Sequence, residues 1–459
     1  MHDLLQREIE TYKRRTPKSA AAHRRAEMRL PLGVASSYRA YEPYPIFVKE
    51  GHGSKVVDLD GHEYVDHNLC FGVLLAGHNH PAVVKALQAV LQIGTTFGMP
   101  HEMEWELAEE VCGRYPIDMV RFGSTGTEVT MHACRLARAA TKRDLILKFE
   151  GGYHGLHDTA LVSVKPTAEE VGDPGAPNAV PQGLGIPKGT LSTVVIASFN
   201  DLEGVERRFR QYPNQIAAVI VEPIMMNVGM CMPQPGFLKG LREITAKHGA
   251  LLIFDEVKTG GKLAWGGASE YFDVKPDIIA LAKAIGGGVP LGAFGASKPV
   301  MDLITNHQIY HGGTYNANRI ALAAGLAMFR EVLTRENYVH VARLNKKLSD
   351  GYRRTIAKHG VEAYVVSAGA NGALMLLPEE LRNYRDWLRI DQTLWSQYWF
   401  GMVNRGVIPQ PFWRDEQWTV SVQHTDVDID KHLAAFEDVA PGLAKVQEER
   451  RSAFVNAGR

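Results

Sequence analysis

From about residue 55 the chain alternates short apolar runs with longer segments of helical spacing. "YVDHNLCFGVLLAGH" leads into "PAVVKALQAVLQ", whose apolar period and opening Pro81 predict a helix start. "MVRFGSTG" leads into "TEVTMHACRLARAA", and the runs "DLILKFE", "STVVIAS", "AAVIVEP", "ALLIFDE" and "DIIALAK" follow. Several of these are apolar on successive positions, which strands need when both faces of their sheet are covered. The pattern predicts an α/β domain with a mostly parallel, doubly covered sheet over residues 61–325. A long helical pattern, "NRIALAAGLAMFREVLTREN", then leads into a smaller α+β domain over 326–459, and residues 1–60 form an N-terminal segment.

Two stretches stand outside this alternation. "KPTAEEVGDPGAPNAVPQGLGIPKG", residues 165–189, holds five prolines and five glycines and reads as one long irregular segment. Loops of that length inside a domain are usually lids or disordered. The start, "MHDLLQREIETYKRRTPKSAAAHRRAEMRL", carries four acidic residues and no apolar centre, which excludes a secretory signal. It reads as a surface helix, with an organellar transit peptide as the alternative.

Composition narrows the partners. At 459 residues, 45% hydrophobic and 22% charged, the chain has the make-up of a globular protein with one large domain and smaller companions. Lys+Arg and Asp+Glu both number 51, so no overall field attracts nucleic acid or a membrane surface. No apolar run approaches the roughly 20 residues of a membrane span. Small molecules or a second copy of the chain are the expected partners. The four cysteines, Cys70, Cys112, Cys134 and Cys231, form no CxxC, which argues against a disulfide scaffold or zinc site and fits a reducing cytoplasm.

Three places carry candidate chemistry. In "FGSTGTEV", Ser124, Thr125, Gly126 and Thr127 sit between a strand and a helix, where free N–H groups and hydroxyls make a cradle for a single phosphate. Capping of the helix by Thr127 is the plainer alternative. In "LLIFDEVKTGGK", Asp255 ends a buried strand where open α/β sheets bind ligands, and such a carboxylate needs a cationic or strongly donating partner. Glu256 points to the opposite side and serves structure, while Val257 returns to the face of Asp255 by the period of two. Lys258 and Lys262 lie in a turn leading toward the substrate side. In "PDIIALAKAIGGGVPLGAF", Lys283 leaves a further strand, 28 residues beyond Asp255, either as a snorkelling surface residue or as an amine for Schiff-base chemistry. Phosphate cradle, carboxylate for a pyridinium nitrogen and lysine for an imine together describe one ligand, pyridoxal 5′-phosphate.

These residues, in this order, resemble the class III aminotransferases of the fold-type I pyridoxal-phosphate enzymes, from about residue 28 to 435. The motifs are "KFEGGYHG", "VEPIMMNVG", "FDEVKTGG", "EYFDVKPDIIALAKAIGGGVPLGAFG" and "HGGTYNAN". Among them the chain is most similar to glutamate-1-semialdehyde 2,1-aminomutases and related aminotransferases, including those acting on β-amino acids. The resemblance implies that Thr125, Gly126 and Thr127 bind phosphate and that Thr314 reaches the phosphate of a partner subunit in a homodimer. It implies that Tyr153 stacks on the cofactor ring, that Val257 packs on the other face, and that Asn227 lies near the ring hydroxyl. It places Arg39 and Ser36 at the substrate entrance and Glu416 close by, with Arg414 a rival carboxylate partner. His154 is expected to line the pocket or hydrogen-bond there. His78 and His80 in "GHNHP" pair like metal ligands, but no metal is expected.

The chain departs from the aminomutase pattern at Phe71, Lys262 and Arg319, where tryptophan, arginine and proline are usual. Phe412, Trp413 and Trp418 add aromatic bulk near the expected substrate end. The expected activity is transfer of an amino group between a carboxylated amine or amino acid and a keto acid. The alternative is an aminomutase making 5-aminolevulinate from glutamate-1-semialdehyde. A racemase, a decarboxylase or a catalytically silent relative stands further off, since Lys283 and Asp255 are both present.

Overall fold

The computed structural model describes residues 2–457; residues 1, 458 and 459, at the outer ends of the expected terminal segments, lie outside the described residues. Its central sheet has seven strands: β1 (Met119–Gly123), β2 (Leu145–Phe149), β3 (Val194–Ala197), β4 (Ile216–Val221), β5 (Leu251–Asp255), β6 (Ile278–Leu281) and β7 (Gly292–Ala296). Their spatial order is β1-β7-β6-β5-β4-β2-β3. Only β7 runs antiparallel to its neighbours; every other pair is parallel.

The unbroken apolar runs have the expected cause. Ile146, Ala218, Ile253 and Ala280 pack under the helix Gly126–Thr141 through Val129, Ala133 and Ala137. Leu145, Leu147, Val219, Leu252 and Phe254 turn to the other face, where Phe237 and Leu241 of the helix Phe237–Lys247 cover them. β7 does not stand out as an apolar run because four of its five residues are glycine or alanine, too small to register. That smallness is what seats it: a Cβ on Gly295 would lie 2.5 Å from the carbonyl oxygen of Met119, and one on Gly292 would lie 2.8 Å from that of Thr125.

A second sheet joins distant parts of the chain. Strands Val48–His52, Lys55–Asp58 and Glu63–Asp66 form an antiparallel meander, and Val407–Ile408 adds to it parallel to the third. A third sheet pairs Tyr364–Ala368, Asn371–Met375 and Trp418–Thr419. The N-terminal stretch forms helices His2–Arg15 and Pro17–Glu27, and fully buried Tyr12 donates its hydroxyl to the Tyr44 carbonyl at 2.7 Å.

Two expectations need correction. The pattern at 318–337 is not one helix: Arg319–Ala327 passes into a π-type turn, Met328–Val332, and a new helix, Arg335–His359, starts behind Thr334. Thr334 accepts the Asn337 N–H as an N-cap, and the Arg114 guanidinium takes the carbonyls of Phe329 and Leu333 at the break. Nor is segment 165–189 wholly irregular. It holds a short hairpin, Gly172–Asp173 with Ala176–Pro177, and its first half is tied to the body of the protein. Arg385 donates to the carbonyls of Gly172 and Val171 and pairs with buried Glu150 at 2.9 Å, while Tyr384 donates to the Pro166 carbonyl at 2.7 Å.

This anchoring is testable. The double substitution Arg385→Met with Glu150→Gln removes the Arg385 ties without stranding a buried carboxylate. Limited proteolysis between residues 167 and 180 is expected to speed up several-fold with far-UV circular dichroism unchanged; cleavage at the wild-type rate would show that these ties do not hold the hairpin.

Candidate active site

Parallel pairing, with β7 reversed between β1 and β6, brings the C-terminal ends of β1, β2, β4, β5 and β6 to one edge. Ligands bind at this edge in open α/β sheets. Ser124 to Thr127 follow β1, Tyr153 and His154 follow β2, Glu222 and Asn227 follow β4, Asp255 ends β5 with Val257 and Lys258 beyond it, and Lys283 follows β6. All of them line one cavity of about 320 Å³.

At the phosphate-cradle position the cap is Thr125, not Thr127. Thr125 Oγ1 accepts the Glu128 N–H at 3.2 Å, while the Glu128 carboxylate takes the N–H groups of Ser124 and Thr125, making a capping box. Thr127 lies one step inside the helix and accepts the Leu156 N–H. Capping therefore does not use up the first-turn N–H groups of Gly126 and Thr127, which have no intrahelical acceptor and belong to residues that line the cavity.

Asp255 is buried. Its Oδ1 accepts the Val257 N–H at 3.0 Å and its Oδ2 the Nδ1–H of His154 at 2.7 Å. A carboxylate cannot donate, so His154 carries its proton on Nδ1, and burial pushes its pKa down, keeping the ring neutral. Each carboxylate oxygen keeps a second lone pair. Lys283 stands at φ +52°, a left-handed conformation uncommon outside glycine. Burial, then the neighbouring Lys258 ammonium, push its amine pKa down, against the opposing pull of Glu416, Asp255 and Glu222.

Glu222 was not singled out from the sequence. Buried, it accepts the N–H groups of Tyr153 and Met226 and the side-chain amide of Asn227 at 2.8 Å. It ends the run "AAVIVEP" as Asp255 ends "ALLIFDE", so the same reasoning about carboxylates at strand mouths would have found it. On the other side of the β5 turn, Glu256 accepts the Ala268 N–H and the Thr259 hydroxyl away from the cavity.

The two turn lysines are buried. Lys258 Nζ pairs with Glu416 Oε2 at 2.7 Å and donates to the Met226 carbonyl at 3.2 Å. Lys262, fully buried, donates to the Gly72 carbonyl at 3.1 Å, and burial pushes its amine far below the usual range. Glu416 is thus engaged by a lysine, with no contact to Arg39. Arg39 and Ser36 are exposed and do not line the cavity; Arg39 lies beside Cys70, which does. Arg414 lies 4.4 Å over the Trp387 ring, turned away from a carboxylate role. Thr314 is exposed and absent from the cavity wall of its own chain.

Aromatic bulk is distributed differently from the expectation. Phe71 and Tyr153 flank Tyr38, at 5.8 and 5.7 Å between ring centres, and Trp413 donates to the Tyr38 carbonyl. Phe412 stacks on Tyr41 in the cluster under the N-terminal helices, and Trp418 is core, donating to Asn345 and closing on Gly372. His78 pairs with Asp66 at 2.8 Å and His80 caps the helix Pro81–Leu91.

The cavity's donor set suits pyridoxal 5′-phosphate: hydroxyls and N–H groups at a helix N-terminus, an oriented carboxylate, and an amine lining the same cavity. The cradle is close-fitting, since a Cβ on Gly126 would meet Val257 at 3.0 Å.

Known proteins agree with this geometry. The family model described as Aminotransferase class-III matches residues 36–392. A glutamate-1-semialdehyde 2,1-aminomutase of Bacillus subtilis (strain 168) is 40% identical over 433 residues, covering 93% of this chain and 99% of that protein. Among solved structures, an omega-transaminase from Sphaerobacter thermophilus matches with a TM-score of 0.88 at 34% identity, covering 93% of this chain and 98% of that one. A glutamate-1-semialdehyde-aminomutase from Pseudomonas aeruginosa PAO1 in complex with PMP matches with 0.88 at 28% identity, covering 96% and 98%. The chain belongs to the class III aminotransferases, enzymes of the fold-type I architecture that work with pyridoxal phosphate.

Proposed function

We propose that the protein is an aminotransferase that moves an amino group between a carboxylated amine or amino acid, β-amino acids included, and a keto acid. The observation that carries this reading is the meeting of Lys283 with the His154-bound Asp255 in one cavity beside the helix N-terminus at Gly126. Pyridoxal phosphate supplies, when bound, an aldehyde for the amine and a protonated ring that accepts electrons.

The chain's own residues do the rest. Ser124, Thr125, Gly126 and Thr127 would hold the phosphate through hydroxyls and first-turn N–H groups, and Tyr153 and Val257 would flank the ring. Asp255 would hold a proton on the ring nitrogen, with the Nδ1–H of His154 orienting that carboxylate. Glu222 fixes Asn227, which would meet the ring hydroxyl. Lys283, its amine pKa lowered by burial and by the neighbouring Lys258, would hold the cofactor through its amine and would carry a proton to and from the substrate carbon. Arg39 and Ser36 stand at the mouth, with Glu416 behind Lys258.

A homodimer completes the site, with Thr314 reaching the partner's phosphate. The exposed apolar side chains near it in sequence, Tyr310 and Tyr315, together with Phe97, Met99 and Trp105, support an interface. The unpaired cysteines suit a cytoplasmic location.

A second reading is favoured by the 40% identity to an aminomutase over nearly the full chain. Incubation with glutamate-1-semialdehyde alone separates the two. Half-turnovers only are expected of the transferase, and catalytic formation of 5-aminolevulinate without an added acceptor would establish the mutase.

Lys283→Ala is expected to abolish turnover and the visible absorbance of the loaded enzyme, and retained activity would remove Lys283 from the chemistry. Glu222 gives a pH test. Burial, with Asp255 adding, pushes its carboxyl up from 4.5 to about 7. Between those values the folded protein keeps a proton that the unfolded chain releases, so its contribution to stability declines as pH rises through this window. The melting temperature of Glu222→Gln relative to wild type should therefore climb by a few degrees from pH 5 to pH 8, whereas a difference independent of pH would show that Glu222 does not titrate there.

A further inference from the structure

Among the described residues that line the cavity, the cations are Lys258 and Lys283, since burial holds His154 neutral. The function proposed above commits Lys283 to the cofactor and to proton transfer, and its substrate carries a carboxylate. The cavity thus has one cation to offer that carboxylate. We propose that Lys258 binds the substrate's carboxylate and so determines which amines the enzyme accepts.

The geometry supports this at the level of single donors. An ammonium has three N–H groups. Lys258 spends one on Glu416 Oε2 at 2.7 Å and one on the Met226 carbonyl at 3.2 Å, and the residue faces the cavity, so the third is available to an acceptor there. Its two fixed bonds come from different elements, the loop after β4 and the stretch before Trp418, which aims the ammonium and limits its freedom. Such pre-orientation is what a binding group needs.

Energetics point the same way. Lys258 and Glu416 are each only a few per cent exposed. Two charges taken out of water rarely repay their desolvation as a stabilising device, and apolar residues of equal volume usually serve a core as well or better. A buried pair placed against a cavity wall is therefore better explained by the cavity than by the fold. Glu416 has a defined part: it accepts from the Lys258 ammonium at 2.7 Å and fixes its position at the cavity wall.

The other cations do not compete. Lys262 points to the Gly72 carbonyl, Lys165 is paired with Asp415 at 2.5 Å, and Arg414 lies on Trp387. Arg39, exposed beside Cys70, is placed to meet a carboxylate arriving at the mouth rather than one seated within.

The test uses the holoenzyme and a pair of unreactive probes of one size, pentanoate and pentanamide, titrated by calorimetry. Wild type should bind pentanoate the more tightly. In Lys258→Met, and in Lys258→Met with Glu416→Gln, which leaves no buried carboxylate unpaired, the pentanoate Kd should rise about 10- to 100-fold, the value of a charge-assisted hydrogen bond. The pentanamide Kd should move by less than about threefold, since a neutral contact is worth little. Equal weakening of both probes, no weakening of either, loss confined to cofactor retention, or a wild type that does not prefer pentanoate would each overturn the assignment. The probes do not react, so a protein that aminates no cofactor from any donor yet discriminates the probes through Lys258 would lose the proposed function and keep the carboxylate site.

Discussion

Desolvation of ionisable side chains is the constraint on which this protein's centre is built. The C-terminal ends of the strands and the segments packed over them carry Lys148, Glu222, Asp255, Lys258 and Glu416, all buried, and none can keep a charge there without partners. The partners turn loose connections into fixed geometry. Lys148 gathers the carbonyls of Gly152, Ala160 and Val162 and so closes the loop that carries Tyr153 and His154. Glu222 ties that loop to Asn227, and the Asp255–His154 bond ties it to β5. Through Lys258, Glu416 from the C-terminal part of the chain is drawn to the same place. Charge satisfaction, more than apolar packing, sets the shape of the cavity.

The sheet and its edge were legible in the sequence because both leave a strong local mark. Strands buried on two faces need unbroken apolar runs, and a carboxylate or lysine interrupting such a run at its end is conspicuous. Asp255 and Lys283 stand out for this reason, and Glu222 obeys the same rule. β7 was illegible for the opposite reason: Gly292, Ala293, Gly295 and Ala296 are chosen for close approach, so they carry no hydrophobic signal.

Polar residues whose environment comes from far along the chain were harder to read. Lys258 and Lys262 read in the sequence as cations in a turn leading toward the substrate side, and nothing near position 258 announces a partner at 416 or near 262 one at Gly72. Trp418 likewise belongs to the core because Asn345 and Gly372, far away in sequence, receive it. The break at Met328–Val332 depends on Arg114, more than two hundred positions earlier, which takes up the carbonyls the turn releases. Local pattern reports local structure; the specificity-bearing contacts are long-range.

The four-stranded sheet carries a consequence for how the protein is made. Its third strand, Glu63–Asp66, is parallel to Val407–Ile408, so Val65 leaves the ribosome more than three hundred residues before its partner Val407 exists. The meander of residues 48–66 must wait with one edge open while the central sheet, whose strands lie between 119 and 296, can already assemble. An open edge of this kind invites pairing with other chains. Val48 to His52, on the opposite edge, is short, carries Lys49 and Glu50, and is bulged, features that blunt an edge against such pairing. The waiting strand itself is acidic at both ends, with Glu63 and Asp66, which gives a nascent chain some protection until its C-terminal part arrives.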